Sequence, residues 1–163
     1  MGKNEYTKGF YDPKLPGKYK GKSRPYYKSS YEWRMMYWCD MNAKIKSWSY
    51  EPIAIPYTFS VPQNSPIWMQ NLVDYKQHQY HIDFVIDIEE NDGKVYTYLI
   101  EVKPYGQTIM PSEPKKKTKK SLEKFLGYMK EYIKNQNKWA AAKEYCQQRN
   151  YKFTVLTERD IFN

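Results

Sequence analysis

Asp83, Glu101 and Lys103 carry the types and spacing to act together on a charged substrate in this 163-residue chain. Seventeen residues separate the two acids, and the lysine follows Glu101 with one residue between. Two carboxylates held side by side repel each other unless a cation or a proton lies between them. Hard divalent cations such as Mg²⁺ take oxygen ligands, commonly one or two carboxylates plus a substrate phosphate. A lysine on the same face could support an attacking water or a phosphate oxygen.

The elements that must bring them together lie in the stretch Tyr80 to Lys103. Two runs rich in β-branched and aromatic residues flank Asn91-Asp92-Gly93, a hairpin signature. Ile82, Phe84, Ile86 and Ile88 alternate with Asp83, Val85 and Asp87. Tyr96, Tyr98, Ile100 and Val102 alternate with Thr97, Leu99, Glu101 and Lys103. A three-residue loop with Gly93 in the left-handed region pairs Glu90 with Lys94 and sets Asp83 opposite Glu101. A loop of two or four residues would instead pair Asp83 with Val102 and part the carboxylates. The bland alternative is a solvated hairpin whose charges do nothing specific. Leu99-Ile100 before Glu101, and Val102 inside the motif, point to a buried central strand, where charges need a reason.

Upstream, Ser29 followed three residues later by Glu32 is a capping-box signature for a helix over 30–42. Glu32 is therefore either a capping residue or a third carboxylate of the same site. Ile45 to Phe59 is β-rich, but Pro52 and Pro56 divide it into a strand near 46–50 and an edge segment over 53–59; Glu51 is a weaker candidate ligand. Residues 63–79 read as a loop or insertion. His78 and His81 point to opposite faces if extended, so no metal is expected between them, although His81 could contact phosphate beside Asp83.

After Lys103 comes a Pro- and Gly-marked loop that should border the site, with Gln107 as a candidate phosphate or water contact. Lys115, Lys116, Lys117, Lys119 and Lys120 then form a basic run suited to phosphate. Helical periodicity over 120–135 (Leu122, Phe125, Leu126, Met129, Tyr132, Ile133) marks core residues. A second helix is expected over 137–150 with Asn137 as N-cap; Asn137 and Lys138 would then offer a helix N-terminus to phosphate. A strand over 151–157 completes an α/β chain of α+β type: a central mixed β-sheet with flanking helices.

The chain carries a net charge of +9, unevenly spread. Residues 1–30 hold eight Lys/Arg against two acids, 31–110 six against ten, and 111–152 twelve against four. An acidic centre between basic flanks suits a polyanion held beside a cation site; solvated lysines of a generic basic protein are the alternative. Residues 1–28 read as a basic, Tyr- and Lys-rich arm. Its Tyr6, Tyr11, Tyr19, Tyr26 and Tyr27 could stack on bases or pack on the domain. Residues 29–163 read as a single domain. No run approaches a membrane span, and the Lys- and Tyr-rich N-terminus shows no signal-peptide pattern. Cys39 and Cys146 are expected to be reduced core residues.

The order helix with Glu32, strand, strand with Asp83, strand with Glu101-x-Lys103, helix, strand resembles the PD-(D/E)XK core, with Ile82 where that pattern often has proline. The segments N-x-K-W-A-A-A-K-E-Y-C and Y-K-F-T-V-L-T-E-R-D-I-F are similar to the TnsA nuclease group. Together with K-S-S-Y-E-W, I-P-Y, D-F and E-V-K-P-Y-G-Q-T they resemble the head-completion nucleases of tailed phages, from about Tyr19 onward. The resemblance implies a restriction-endonuclease-like fold and a metal-dependent DNA endonuclease acting on DNA ends near the portal during head completion. Glu32, Asp83 and Glu101 would bind Mg²⁺, with Mn²⁺ as a substitute, and Lys103 would activate water. The implied partners are double-stranded DNA, with ends or branches, and portal or head proteins, without a membrane. The implied location is the host cytoplasm or the virion, and the chain works as monomer or homodimer. A non-catalytic DNA-end or portal-binding protein, and a junction-resolving or transposition endonuclease, stay open as alternatives.

Overall fold

The turn after Glu90 sets the register of the sheet. Gly93 has φ +78°, and Gly93 N–H donates to the Glu90 carbonyl at 2.9 Å while Glu90 N–H donates to the Lys94 carbonyl at 2.9 Å. That is the three-residue loop expected from the sequence. The structure, a computed structural model, describes residues 8–15 and 17–162; Tyr6 lies outside them.

Eight strands and four α-helices are described. The chain runs β1 (Gly9–Phe10), β2 (Tyr26–Tyr27), α1 (Ser30–Met41), β3 (Ile45–Tyr50), β4 (Ala54–Thr58), α2 (Ile67–Gln70) and β5 (Gln77–His81), then β6 (Phe84–Glu89), β7 (Val95–Val102), α3 (Lys119–Arg149), β8 (Lys152–Leu156) and α4 (Glu158–Ile161). The central sheet has the order β3-β6-β7-β8. β6 is antiparallel to both β3 and β7, while β8 runs parallel to β7, so the sheet is mixed. A parallel partner needs a crossover, and α3 supplies it.

Period-two alternation gives the sheet two apolar faces. Trp48, Phe84, Ile86, Ile100 and Val102 pack with Met35, Met36 and Cys39 of α1. Leu99, Val85, Phe153 and Val155 pack with Trp139, Ala142 and Cys146 of α3. Both cysteines are free and buried. The result is an α/β arrangement, a central mixed sheet with helices on both faces, consistent with a restriction-endonuclease-like fold.

Three features depart from the sequence expectations. The two helices expected over 120–135 and 137–150 are one helix of 31 residues. Asn-Gln-Asn contains neither Gly nor Pro, and Asn costs only a few tenths of a kcal/mol in a helix interior. Moreover, Asn137 Oδ1 accepts the Ser60 N–H at 2.9 Å, so its side chain satisfies a neighbouring backbone rather than starting a helix. Thr118 and Ser121 cap the true start. Residue Asn150, left-handed at φ 57°, ends it, and Tyr151 N–H returns to the Cys146 carbonyl at 2.8 Å.

Within the expected 63–79 loop, the polar run beginning at Gln77 is strand β5. It pairs antiparallel with β4 from Thr58↔Gln77 to Ala54↔His81. Only Tyr80 of β5 is buried, so its sequence shows no apolar alternation. From Gly9 onward the segment read as an arm is folded over α1 and β3. β1 pairs with β2. Tyr11 and Tyr27 are buried, and Tyr19 packs on Trp48 with ring centroids 4.6 Å apart. Fully buried Asp40 anchors the segment, accepting from Tyr11 Oη at 2.9 Å, Lys14 N–H at 2.5 Å and Leu15 N–H at 3.2 Å.

Candidate active site

The β6–β7 ladder begins at Phe84↔Ile100, so Asp83, one residue earlier, stands level with Glu101 on the α3 side of the sheet. The chain crosses from the β4–β5 pair to the main sheet through Ile82 and Asp83, with Ile82 fully buried. Its backbone is fixed there: Glu51 N–H donates to the Asp83 carbonyl at 2.9 Å. The Asp83 carboxylate accepts the Val102 N–H at 2.8 Å. An apolar anchor and two hydrogen bonds thus place this acid.

Glu101 is only 3 % exposed, which for a carboxylate demands partners. Tyr80 Oη donates to its Oε2 at 2.6 Å, and Lys103 Nζ lies 3.1 Å from its Oε1. Lys103 itself is half-buried. Burial and the charge of Glu101 push the Asp83 carboxyl well above the usual carboxylate range; the Val102 N–H opposes the shift and Glu32 adds to it. Burial, then Glu101, pushes the Tyr80 phenol up, so it stays a donor.

Glu32 enters from the α1 side. Ser29 caps the helix by accepting the Glu32 N–H at 3.2 Å. The expected reciprocal bond is displaced by one residue, because Glu32 Oε2 accepts the Lys28 N–H at 2.6 Å and the Tyr50 hydroxyl at 3.0 Å. Glu32 therefore has a capping-type role and also lies near enough to act on Asp83's charge. Burial raises its pKa, while the two donors lower it. Next to it, Lys28 Nζ binds Glu51 Oε1 at 2.7 Å. Glu51 is itself held at φ 46°.

Among the described residues no three His, Cys, Asp or Glu side chains are grouped closely enough to make a cage for an ion. Two of the three expected acids share one face, and Glu32 is turned to its own donors. The donor set still fits a hard cation: Asp83 and Glu101 supply carboxylate oxygens, and Lys103 offsets only one of their charges.

The remaining candidates divide. Lys138 lies in the middle of α3 rather than at a helix start, with Nζ 5.5 Å from the Tyr80 ring and 6.0 Å from the Tyr57 ring. The Tyr80 hydroxyl binds Glu101, so this ring contact sets Lys138 on the side of the acids; burial, then the neighbouring Lys103, lowers its pKa. Asn137 is occupied by Ser60 and has no helix N-terminus to offer. His81 is exposed at the end of β5, two residues before Asp83, and Gln107 is exposed in a short 3₁₀ turn. Lys115, Lys116, Lys117, Lys119 and Lys120 are all exposed, but they surround the start of α3, whereas Lys138 lies nineteen residues further along it. The single long helix separates them from the acids. The sequence did not reveal the tyrosine partners: Tyr50 and Tyr80 are two of 18 tyrosines, and nothing in their spacing sets them apart.

The structure thus sets two acids and a lysine together on one hairpin of a mixed, helix-flanked sheet. Residues 42–158 match the family described as TnsA-like endonuclease N terminal, and the chain belongs to that family. It is also 28% identical over 151 residues to the head completion nuclease of Enterobacteria phage T4, covering 92% of this chain and 90% of that protein.

Proposed function

We propose that the chain is a divalent-metal-dependent DNA endonuclease, using Mg²⁺ or Mn²⁺, that acts on DNA ends while phage heads are completed in the host cytoplasm. The observation that carries this reading is buried Glu101 level with half-buried Asp83, with Lys103 on the same strand face. Two acids withdrawn from water side by side with one lysine between them lower stability, so a bound cation explains why they are there. The relative's printed name and the family description support the nuclease class and its place in head completion.

Asp83 and Glu101 would hold the ion, with Glu32 able to join after releasing Lys28 N–H or Tyr50. When bound, the ion lowers the pKa of a water and stabilises charge developing on the phosphoryl group. Tyr80 fixes the Glu101 carboxylate by its 2.6 Å hydrogen bond. The Lys103 ammonium, held beside Glu101, orients the attacking water. Lys138 adds a second positive charge for the phosphate, and His81 lies at the rim of the same site. Holding the reacting groups in line accounts for much of such catalysis.

The test is incubation of purified protein with supercoiled, linear and branched DNA, in Mg²⁺ and in chelator, beside Glu101→Ala. The expected result is Mg²⁺-dependent scission by the wild type only, with the preferred DNA showing whether ends or branches are recognised. DNA binding without scission by either protein would replace the enzyme with a non-catalytic end-binding or portal-binding role.

A further inference from the structure

The lysines at the start of α3 are far from the acids yet joined to them by one face of a rigid helix. Nineteen residues separate Lys119 from Lys138, which at 1.5 Å per residue is about 28 Å. At 100° per residue, Lys119, Lys120, Lys124, Lys130, Lys134 and Lys138 fall within one sector of about 140°. Glu123 and Glu131 lie in the same sector, and Glu131 pairs with Lys134 at 3.3 Å. The buried residues Phe125, Met129, Ile133, Trp139 and Cys146 lie outside it, and buried Ala142 falls on its edge. Lys119, Lys120, Lys124 and Lys130 are exposed; Lys134 and Lys138 are half-buried as the face nears the acids.

This charge is badly placed for the helix itself. The first turn of α3 holds no acid and carries Lys119 and Lys120, with Lys115, Lys116 and Lys117 just before it. Cations at a helix N-terminus cost about 0.3–1 kcal/mol each. Among the described residues only Lys117 of the cluster has an acidic partner, exposed Glu113 at 3.3 Å. An external polyanion relieves that repulsion.

We propose that this face of α3 is a track for the backbone of duplex DNA, with its far anchor about 28 Å from the reacting centre. At about 3.4 Å per base pair, the substrate must continue as duplex for about eight base pairs to one side of the cut. The inference rests on the nuclease reading for the position of the cut, but not for the track. A duplex is stiff over this length, so one placed at the acids reaches the anchor without bending.

The experiment uses the full chain and Lys116→Ala/Lys119→Ala/Lys120→Ala, which leaves the Thr118–Ser121 cap in place. Affinity for blunt duplexes of graded length is measured in Ca²⁺ or chelator, corrected for overlapping positions, and scission of the same DNAs is followed in Mg²⁺. The wild type should show a step in affinity once the duplex passes about eight base pairs. The triple variant should lose the step, and its salt slope should fall by about 2.7, from three phosphate contacts at about 0.9 each. A smooth length dependence, or a step and slope retained in the variant, overturns the track. A step without scission on any DNA upholds the track and removes the hydrolytic reading. Scission at a rate indifferent to length and to the variant does the reverse.

Discussion

Asp83→Asn should make the protein more stable in chelator and insensitive to Mg²⁺. Asp83 stands level with Glu101 across the β6–β7 ladder, where opposed Cβ atoms are about 5 Å apart. Two negative charges at that separation repel by roughly 3 kcal/mol at an effective dielectric constant of about 20. Lys103, 3.1 Å from Glu101, offsets part of this. Asparagine keeps an oxygen for the Val102 N–H and removes the charge. A net gain of about 1–2 kcal/mol remains, which for a domain of this size raises Tm by about 3–6 °C. In Mg²⁺ the order reverses. At a hundred times its Kd a ligand adds about 2.7 kcal/mol to the state that binds it, so the wild type should climb by about 5–10 °C while the variant stays put. Thermal unfolding followed by circular dichroism, with chelator and across a Mg²⁺ series, reads both effects. A variant less stable than wild type in chelator, or equal Mg²⁺ increments in both proteins, would refute the reasoning.

The pH dependence of stability follows from the same carboxyl group. Asp83 holds its proton to a higher pH when folded, because of burial and Glu101, whereas the unfolded chain releases it near about 3.9. Its contribution therefore falls as pH rises from about 4 through the folded value and is level above it. Urea unfolding across pH should show that decline in the wild type and lack it in Asp83→Asn. Asn137→Ala should cost about 1–3 kcal/mol, because the Ser60 N–H loses its acceptor; its salt slope for DNA should match the wild type, and a reduced slope would restore a phosphate role. Lys103→Ala should lower turnover by about 10²–10⁴-fold with Mn²⁺ uptake retained, so kinetics and metal binding must separate in that variant.

The sequence was most legible where one local feature decides a geometry. Asn91-Asp92-Gly93 admits few loops, and with the loop chosen, the level of Asp83 and Glu101 follows from counting. Ser29 announced α1 for a similarly local reason. Tertiary satisfaction was invisible. Asn137 looks like a cap until Ser60 is beside it, and that misreading split α3 in two. β5 hid because its outward face is polar and Tyr80 is its one buried side chain. The N-terminal segment has no period because it is held by Asp40 and by Trp48, residues far along the chain. Glu32 was open between two roles on sequence grounds; in the structure its carboxylate accepts from the Lys28 N–H and the Tyr50 hydroxyl.

Uptake of Mn²⁺ measured by electron paramagnetic resonance tests the account most directly. Wild type and Asp83→Asn/Glu101→Gln are titrated side by side, with circular dichroism establishing that both are folded. The account predicts that the wild type removes Mn²⁺ from the free signal and that the double variant leaves it in solution. Equal uptake by the two proteins would contradict a cation site at the β6–β7 hairpin.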